Sequence, residues 1–217
     1  MRNDRLQTTI LSVKLIPNVS PDLAKELELE SDVRSIGILT TDSDDVTYTA
    51  LDEATKKADV KVVYARSFYA GAANANTKLA GEVIGILAGP NPMEVKSGLN
   101  AAISYIENDA AFYSANEDDS IVYFAHTISR TGSYLSNVAG ISEGEALAYL
   151  IAPPLESIYA LDAALKASDV RMVAFYGPPS ETNFGGGLLT GSQSACKAAS
   201  DAFAEAVQFV ADNPISY

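Results

Sequence analysis

Apolar and polar positions along the chain alternate with the two periods that distinguish strands from helices. Runs of β-branched and apolar residues predict strands at 10–16, 35–41, 60–64, 82–87, 121–126, 146–152 and 170–175. Apolar residues spaced three and four apart predict helices at 49–58, 93–107, 157–167 and 192–212. Ser20 before Pro21 predicts the start of one more, short helix. This alternation predicts an α/β fold, with helices on one face of a small sheet in each half of the chain.

An internal repeat divides the chain into two similar halves. Residues 50–65 read ALDEATKKADVKVVYA and residues 160–175 read ALDAALKASDVRMVAF, and the two match at 8 of 16 positions without a gap. The offset of 110 residues is about half of the 217-residue chain. A polar, acidic stretch at 108–118 marks the boundary. We therefore predict two domains, 1–110 and 111–217, with repeated surfaces that favour a symmetric assembly.

Two polar, glycine-containing segments are predicted to be loops. Residues 67–81 read SFYAGAANANTKLAG, and a loop of this length in a compact domain is usually functional or mobile. Residues 177–187 read GPPSETNFGGG, and the three final glycines are interpreted as flexible loop residues. A phosphate-binding loop is disfavoured, because Ser192 stands where the P-loop pattern needs lysine.

The net charge of −13 excludes some classes of partner. Nucleic acids and anionic membrane surfaces bind clusters of Lys and Arg, so neither is an expected partner. A small cation fits the charge better, although acidity also simply favours solubility. The single cysteine, Cys196, gives no support to an oxidising compartment, and no apolar run approaches the roughly 20 residues of a membrane span. These features favour a cytoplasmic location.

The sequence contains no constellation that supports catalysis or metal binding. His126 is the only histidine and has no Cys pair or HExxH partner, so we interpret it as a structural or interface residue. Ser194 and Lys197 match S-x-x-K, but the companion motifs of that enzyme class are absent. Cys196 is interpreted as a buried helical cysteine. The chain is therefore predicted to be a binding or assembly protein, not an enzyme.

The acidic cluster of Asp42, Asp44 and Asp45 has two interpretations. An EF-hand loop is excluded, because its glycine and terminal glutamate do not follow at the required positions. Carboxylates in this position stabilise the N-terminus of a following helix. They also suit a small amine, since a carboxylate accepts charge-assisted hydrogen bonds from an ammonium group.

Several long stretches resemble a known family. They are DSDDVTYTALDEATK (42–56), VVYARSFYAGA (62–72), GEVIGILAGPNPMEV (81–95), SRTGSYLSNVAGI (129–141) and LLTGSQSACKAA (188–199). Together they resemble the tandem-domain shell proteins of ethanolamine-utilisation bacterial microcompartments, and the likeness covers essentially the whole chain. The resemblance implies two circularly permuted microcompartment (BMC) domains, each a small, mainly antiparallel sheet flanked by helices. It also implies a homotrimer that imitates a hexamer and meets other shell proteins in the microcompartment shell, in the cytoplasm.

The same resemblance implies functional residues. An ethanolamine site between the domains would use Asp44, Asp45, Glu82, Phe112, Thr182 and Asn183, with carboxylates on the ammonium and the phenyl ring stacked against it. A gate over a central pore would use Ser67, Phe68, Tyr69, Ala70, Gly71, Asn74, Asn76, Thr77 and Lys78. No metal site is assigned and no cofactor is required, although the family's ligands include cobalamin, and zinc accompanies an open form of the pore. Gly185–Gly187 are expected to loosen the loop at 180–187 and weaken ligand binding.

We therefore predict a non-enzymatic shell protein that gates the traffic of ethanolamine-pathway molecules. The alternative is an amine sensor that uses the same pocket residues without tiling. The two hypotheses differ in what concentrated protein should form, because only a shell protein assembles into hexagonal sheets.

Overall fold

The computed structural model describes residues 1–68, 79–178 and 183–216. Ten strands and six helices are assigned in these ranges, and those up to residue 108 are β1 (Arg5–Leu6), β2 (Ile10–Ile16), α1 (Pro21–Glu26), β3 (Ser35–Thr41), α2 (Asp44–Lys57), β4 (Lys61–Ser67), β5 (Val83–Gly89) and α3 (Pro92–Asn108). They are followed by β6 (Phe112–Ser114), β7 (Val122–Ile128), α4 (Ser133–Ala139), β8 (Ala146–Ala152), α5 (Pro154–Ala167), β9 (Val170–Tyr176), β10 (Gly185–Gly191) and α6 (Gln193–Asp212). No helix within these ranges is long and apolar enough to span a membrane.

The chain forms two compact units, each with its own sheet. The first unit comprises Thr8–Ala110 and Gly132–Leu135, and the second comprises Met1–Gln7, Ala111–Thr131 and the chain from Ser136 onward. These units differ from the predicted domains 1–110 and 111–217 in two segments. The first seven residues belong to the second unit because β1 pairs with β6 in its sheet. Residues 132–135 belong to the first unit because their backbone is hydrogen-bonded to α2.

The first unit is an antiparallel sheet of strand order β2-β3-β5-β4, packed with α2 and α3. Each helix turns one apolar stripe towards the core, and the buried members of these stripes include Val46, Ala50, Leu51 and Ala54 on α2 and Val95, Leu99, Ala102 and Ile106 on α3. Asn91 begins α3 by accepting hydrogen bonds from the N–H groups of Met93 and Glu94. Ser20 caps α1 in the predicted way, although its hydrogen bond from Leu23 is long, at 3.5 Å.

The second unit repeats this plan within a six-stranded sheet of order β1-β6-β7-β8-β10-β9. Every residue of β8 is buried, as expected for a central strand. Phe203 and Val207 of α6 and Leu161 of α5 fill the core on the helical side. The observed architecture confirms the predicted fold class of antiparallel sheets flanked by helices.

Some predicted boundaries are wrong for identifiable reasons. The helix predicted at 49–58 begins earlier, at Asp44, and the prediction missed its first turn because Asp44, Asp45 and Thr47 are polar, although Val46 already belongs to the apolar stripe. The glycines at 185–187 are not loop residues, since they are buried in β10 between β8 and β9. A Cβ atom on Gly186 would lie 1.9 Å from the carbonyl oxygen of Leu150, and the φ angle of Gly186 is +156°. The glycines therefore allow close packing of β10 against its neighbouring strands. The expectation that they loosen the chain is wrong for residues 185–187.

Candidate functional site

The acidic cluster lies at the N-terminus of α2. Ser43 precedes the helix with an extended backbone, and Asp44 and Asp45 occupy its first turn. The helix-terminus interpretation is therefore confirmed for these two residues, because acidic groups in the first turn interact favourably with the helix dipole. Asp42 lies just before the helix and instead accepts a hydrogen bond from the N–H of Thr9, at 2.7 Å.

A chain of hydroxyl groups orients the carboxylate of Asp44. The Ser67 hydroxyl donates to Oδ2 of Asp44 at 2.7 Å. Since Ser67 has one proton and uses it there, the Tyr48 hydroxyl, 2.6 Å away, is the donor in the next bond. Oδ1 of Asp44 accepts from the backbone N–H of Asp45 at 2.8 Å. The half-buried carboxylate is thus held in one orientation, which suits it for binding a cation.

The backbone of Glu82 is fixed near the same end of the sheet. Its N–H donates to the carbonyl of Thr41, and its carbonyl accepts from the N–H of Phe68, both at 2.8 Å. Asp44 follows β3 by three residues, and Glu82 immediately precedes β5, the neighbour of β3. The structure therefore brings the backbones of the two predicted ammonium ligands to the same edge of the first unit.

The remaining predicted ligand residues belong to the second unit or lie outside the described ranges. Phe112 is half-buried in β6, with its ring centroid 5.3 Å from that of Phe124 and 6.1 Å from that of Phe184. Asn183 is exposed and has a positive φ angle of 66°. Thr182 lies outside the described residues.

Two of the predicted gate residues are described. Ser67 is the last residue of β4 and not part of a loop, and Phe68 follows it in hydrogen-bonded contact with Glu82. The other predicted gate residues, Tyr69, Ala70, Gly71, Asn74, Asn76, Thr77 and Lys78, lie outside the described residues. The predicted gate segment therefore begins at a residue that is bonded directly to Asp44.

The sequence did not single out Tyr48. It lies one helical turn after Asp44, and this i, i+4 spacing is the signal that could have revealed it. The sequence predicts a role for Ser67 in the gate alone, because its contact with Asp44 depends on the packing of α2 against β4.

Two other predicted roles are observed. The ring of His126 stacks on Phe124 at 5.3 Å, as expected for a structural histidine. Cys196 is fully buried in α6, and burial raises the pKa of its thiol above the ordinary value. Within the described ranges, no group of three or more His, Cys, Asp or Glu side chains is placed to hold a metal ion.

Comparison with known proteins then decides the family. The family profile of the BMC domain matches residues 35–116. The bacterial microcompartment shell protein EutL of Clostridium perfringens is 70% identical over 217 residues, which is the full length of both chains. The chain belongs to the EutL family of bacterial microcompartment shell proteins. The Escherichia coli EutL protein is 53% identical over 98% of this chain and 97% of its own length.

Solved structures agree with this family. The crystal structure of the ethanolamine utilization protein EutL from Leptotrichia buccalis superimposes with a TM-score of 0.97 at 77% identity, covering 100% of both chains. As a EutL-family member, the chain is a structural component of a microcompartment shell and interacts with other shell proteins. The predictions of a shell location and of a structural rather than enzymatic role are confirmed by these relatives.

Proposed function

We propose that three copies of the chain form a ring of six BMC-type units around a central pore, that residues 67–81 gate this pore, and that ethanolamine binds at Asp44 and Glu82. The proposal rests above all on one observation, the duplication of a complete fold within the chain. Because one chain supplies two similar units, threefold symmetry is enough to arrange six of them.

The duplication extends from the topology to individual hydrogen bonds. The strand order β2-β3-β5-β4 of the first unit recurs as β7-β8-β10-β9 in the second. The turn that follows the first strand is closed in both by a bond of 2.9 Å, from Val19 N–H to Arg34 O and from Thr131 N–H to Glu145 O. Units that agree at this level present similar edges, so they suit equivalent positions in one ring.

The two copies differ where the proposed gate begins. The connection between Ser67 of β4 and Val83 of β5 has 15 residues, whereas the one between Tyr176 of β9 and Gly185 of β10 has 8. Duplication followed by divergence accounts for this difference, because only one of the two copies needs a longer segment. Three long segments per ring would then meet at the central axis.

The amine site and the gate are adjacent in the proposal. An ammonium group at Asp44 would interact with the carboxylate that holds Ser67, the first residue of the gate segment. A ligand favours whichever gate arrangement binds it more tightly, and its effect is limited to that difference in affinity. Asp45, Phe112, Thr182 and Asn183 remain predicted contributors to the site. Cobalamin and zinc also remain predictions of the resemblance.

Electron microscopy of concentrated protein tests the assembly. We expect hexagonal sheets whose repeating element is a ring of three chains, with a mass of about 69 kDa in dilute solution, three times 22.9 kDa. Isolated rings at every concentration would favour the amine-sensor alternative over tiling.

Isothermal titration calorimetry with ethanolamine tests the ligand. We expect Asp44→Asn and Glu82→Gln each to weaken binding by about tenfold or more, because each removes a charged partner of the ammonium group. Asp201→Asn is the matched control, since Asp201 is an exposed carboxylate on α6 that pairs with Lys197. Equal affinity in all four proteins would refute the assignment of the site.

A further inference from the structure

Asp52 of α2 is a buried carboxylate with a defined set of partners. Its side chain is 1% exposed. It accepts hydrogen bonds from the backbone N–H groups of Gly132 and Leu135, both at 2.8 Å, at the start of α4. Leu135 itself is 2% exposed. Residues 132–135 are thus docked on the outer side of α2 by one carboxylate and one buried leucine.

The repeated sequence places the same carboxylate on α5 without such a partner. In the aligned stretches at 50–65 and 160–175, Asp52 corresponds to Asp162 and Lys56 to Lys166. The Asp162 side chain is 65% exposed, and the partner found for it among the described residues is Lys166, one helical turn away. The counterpart of the most buried carboxylate in the first unit therefore lies in solvent.

The partner of Asp52 also has a counterpart elsewhere in the chain. The matched bonds of Val19 and Thr131 align residues 132–135 with residues 20–23, so that Leu135 corresponds to Leu23. Both leucines are the third residue of a short helix, α4 and α1 respectively. Leu23 is 40% exposed. A docking surface and the segment that fits it are therefore both present on one chain, and both are uncovered.

A second pair of positions differs in a coordinated way. At the docked site, the N–H of Ser133 donates to Oγ1 of Thr55 at 3.1 Å. The counterpart of Ser133 is Pro21, which has no N–H, and the counterpart of Thr55 is Leu165, which has no acceptor on its side chain. The N–H donor and the hydroxyl acceptor of this bond are therefore both missing at the second site. Docking of Pro21 against Leu165 would bury no polar group without a partner at these two positions.

The part of the outer face of α5 that precedes Asp162 is apolar. Leu155, Ile158 and Tyr159 are 63%, 46% and 50% exposed. The residue corresponding to Tyr159 on α2 is Thr49, which is 2% exposed. An apolar surface of this kind on a helix marks a protein interface more often than a solvated face.

We infer that the α1 turn of a second copy of this chain docks on α5, with its Leu23 against the apolar face and its Leu23 N–H donating to Asp162. This inference rests on the proposed trimer and names one of its contacts. Ser20 is the counterpart of Gly132 and carries a Cβ atom, and a Cβ atom at position 132 would lie 2.6 Å from the carbonyl oxygen of Asp52. The docked α1 turn must therefore lie farther from α5 than Gly132 lies from α2. Leu23, and not Ser20, is therefore the principal donor.

The contact joins two different surfaces and so determines how copies add to one another. Each chain offers α5 to one neighbour and α1 to the other, which is a heterologous interface. Such an interface produces a closed ring if its rotation closes and a filament if it does not. With three chains, the three docked α1 turns would complement the three turns at 132–135, one of which each chain already provides.

Sedimentation equilibrium of the full chain tests this contact. We expect Asp162→Asn and Leu23→Ser each to raise the concentration at which the trimer dissociates by about tenfold or more. Asp201→Asn and Met93→Ser are the matched controls, because Asp201 is an exposed member of an i, i+4 pair and Met93 is a 70% exposed apolar residue. Both test positions are exposed in the single chain, so the melting temperature of the dissociated variants should match that of the dissociated wild type.

Amide hydrogen exchange gives an independent measurement. The N–H of Leu23 should exchange at least about tenfold more slowly in the wild-type trimer than in the Asp162→Asn trimer at a concentration where both are assembled. If the trimers of both test variants dissociate at the same concentration as the wild-type trimer, the proposed contact is wrong and the proposed trimer is unaffected. A wild-type chain that stays at 22.9 kDa at every concentration would refute the proposed trimer, and this contact with it.

Discussion

Replacing Asp52 with alanine removes the acceptor for two buried backbone N–H groups at once. Gly132 and Leu135 each donate to this carboxylate at 2.8 Å, and both bonds are buried. Lys56 lies 3.6 Å from it and is 21% exposed, so its ammonium group can turn to solvent. The two amides at the start of α4 have no such freedom, because the segment is covered by α2.

The magnitude follows from two opposing terms. A buried donor left without an acceptor costs about 1–3 kcal/mol, so two of them cost about 2–6 kcal/mol. Burial also raises the pKa of Asp52, which means that the carboxylate itself is disfavoured in the fold and that its removal recovers part of this cost. We therefore expect Asp52→Ala to lower the free energy of unfolding by about 2–4 kcal/mol.

Urea unfolding combined with amide hydrogen exchange measures this effect. The unfolding midpoint should fall, and exchange at Gly132 and Leu135 should accelerate more than exchange in the central strands of the sheet. Asp201→Ala is the control, because loss of an exposed i, i+4 pair costs less than about 0.5 kcal/mol. A midpoint equal to that of the control, with unchanged exchange at both amides, would show that Asp52 does not hold this segment.

Three further outcomes follow from the structure. Gly186→Ala should destabilise the protein by more than about 3 kcal/mol in thermal unfolding, because the added Cβ atom would meet the carbonyl oxygen of Leu150. Its control, Gly140→Ala, should cost about 1 kcal/mol, because Gly140 has a φ angle of +62° but no atom lies within 4 Å of the added Cβ atom. Cys196 should react with a thiol reagent at pH 8 at least about a hundredfold more slowly in the native protein than in urea, since burial blocks access and raises its pKa. Burial also raises the pKa of Asp52, so the folded protein retains that proton to higher pH than the unfolded chain does. The melting temperature of the wild type relative to that of Asp52→Asn should therefore fall as the pH rises from about 4 and should level off above the folded pKa. A difference in melting temperature that stays constant with pH would contradict this expectation.

The regular elements could be predicted from the sequence because they depend on local patterns. The strands at 10–16 and 146–152 have the predicted bounds, and α3 and α6 match their predicted helices to within one residue. Periodicity is a property of neighbouring residues, so it can be recognised without knowing the fold. The internal repeat could be recognised for the same reason, and its equivalent topology in the two units follows from it.

The candidate site could be predicted only in part. The acidic residues at 44 and 45 stand out in the sequence, but the hydroxyl chain through Ser67 joins residues 23 positions apart. That bond exists because β4 lies beside α2, which no local pattern encodes. For the glycines at 185–187 the local sequence led to a wrong prediction. Glycines in a row are typical of a flexible loop, but in β10 they allow the neighbouring strands to pack closely.

Asp52 and Asp162 separate most clearly what the sequence determines from what the fold decides. Both stand in the same ALD motif with a lysine four residues later, and the sequence therefore determines that both lie on the same face of equivalent helices. Their exposures are nonetheless 1% and 65%. The difference arises because residues 132–135, some 80 positions away along the chain, cover the first helix and not the second. Burial is set by whatever segment packs against a side chain, and for contacts this distant only the tertiary structure identifies that segment.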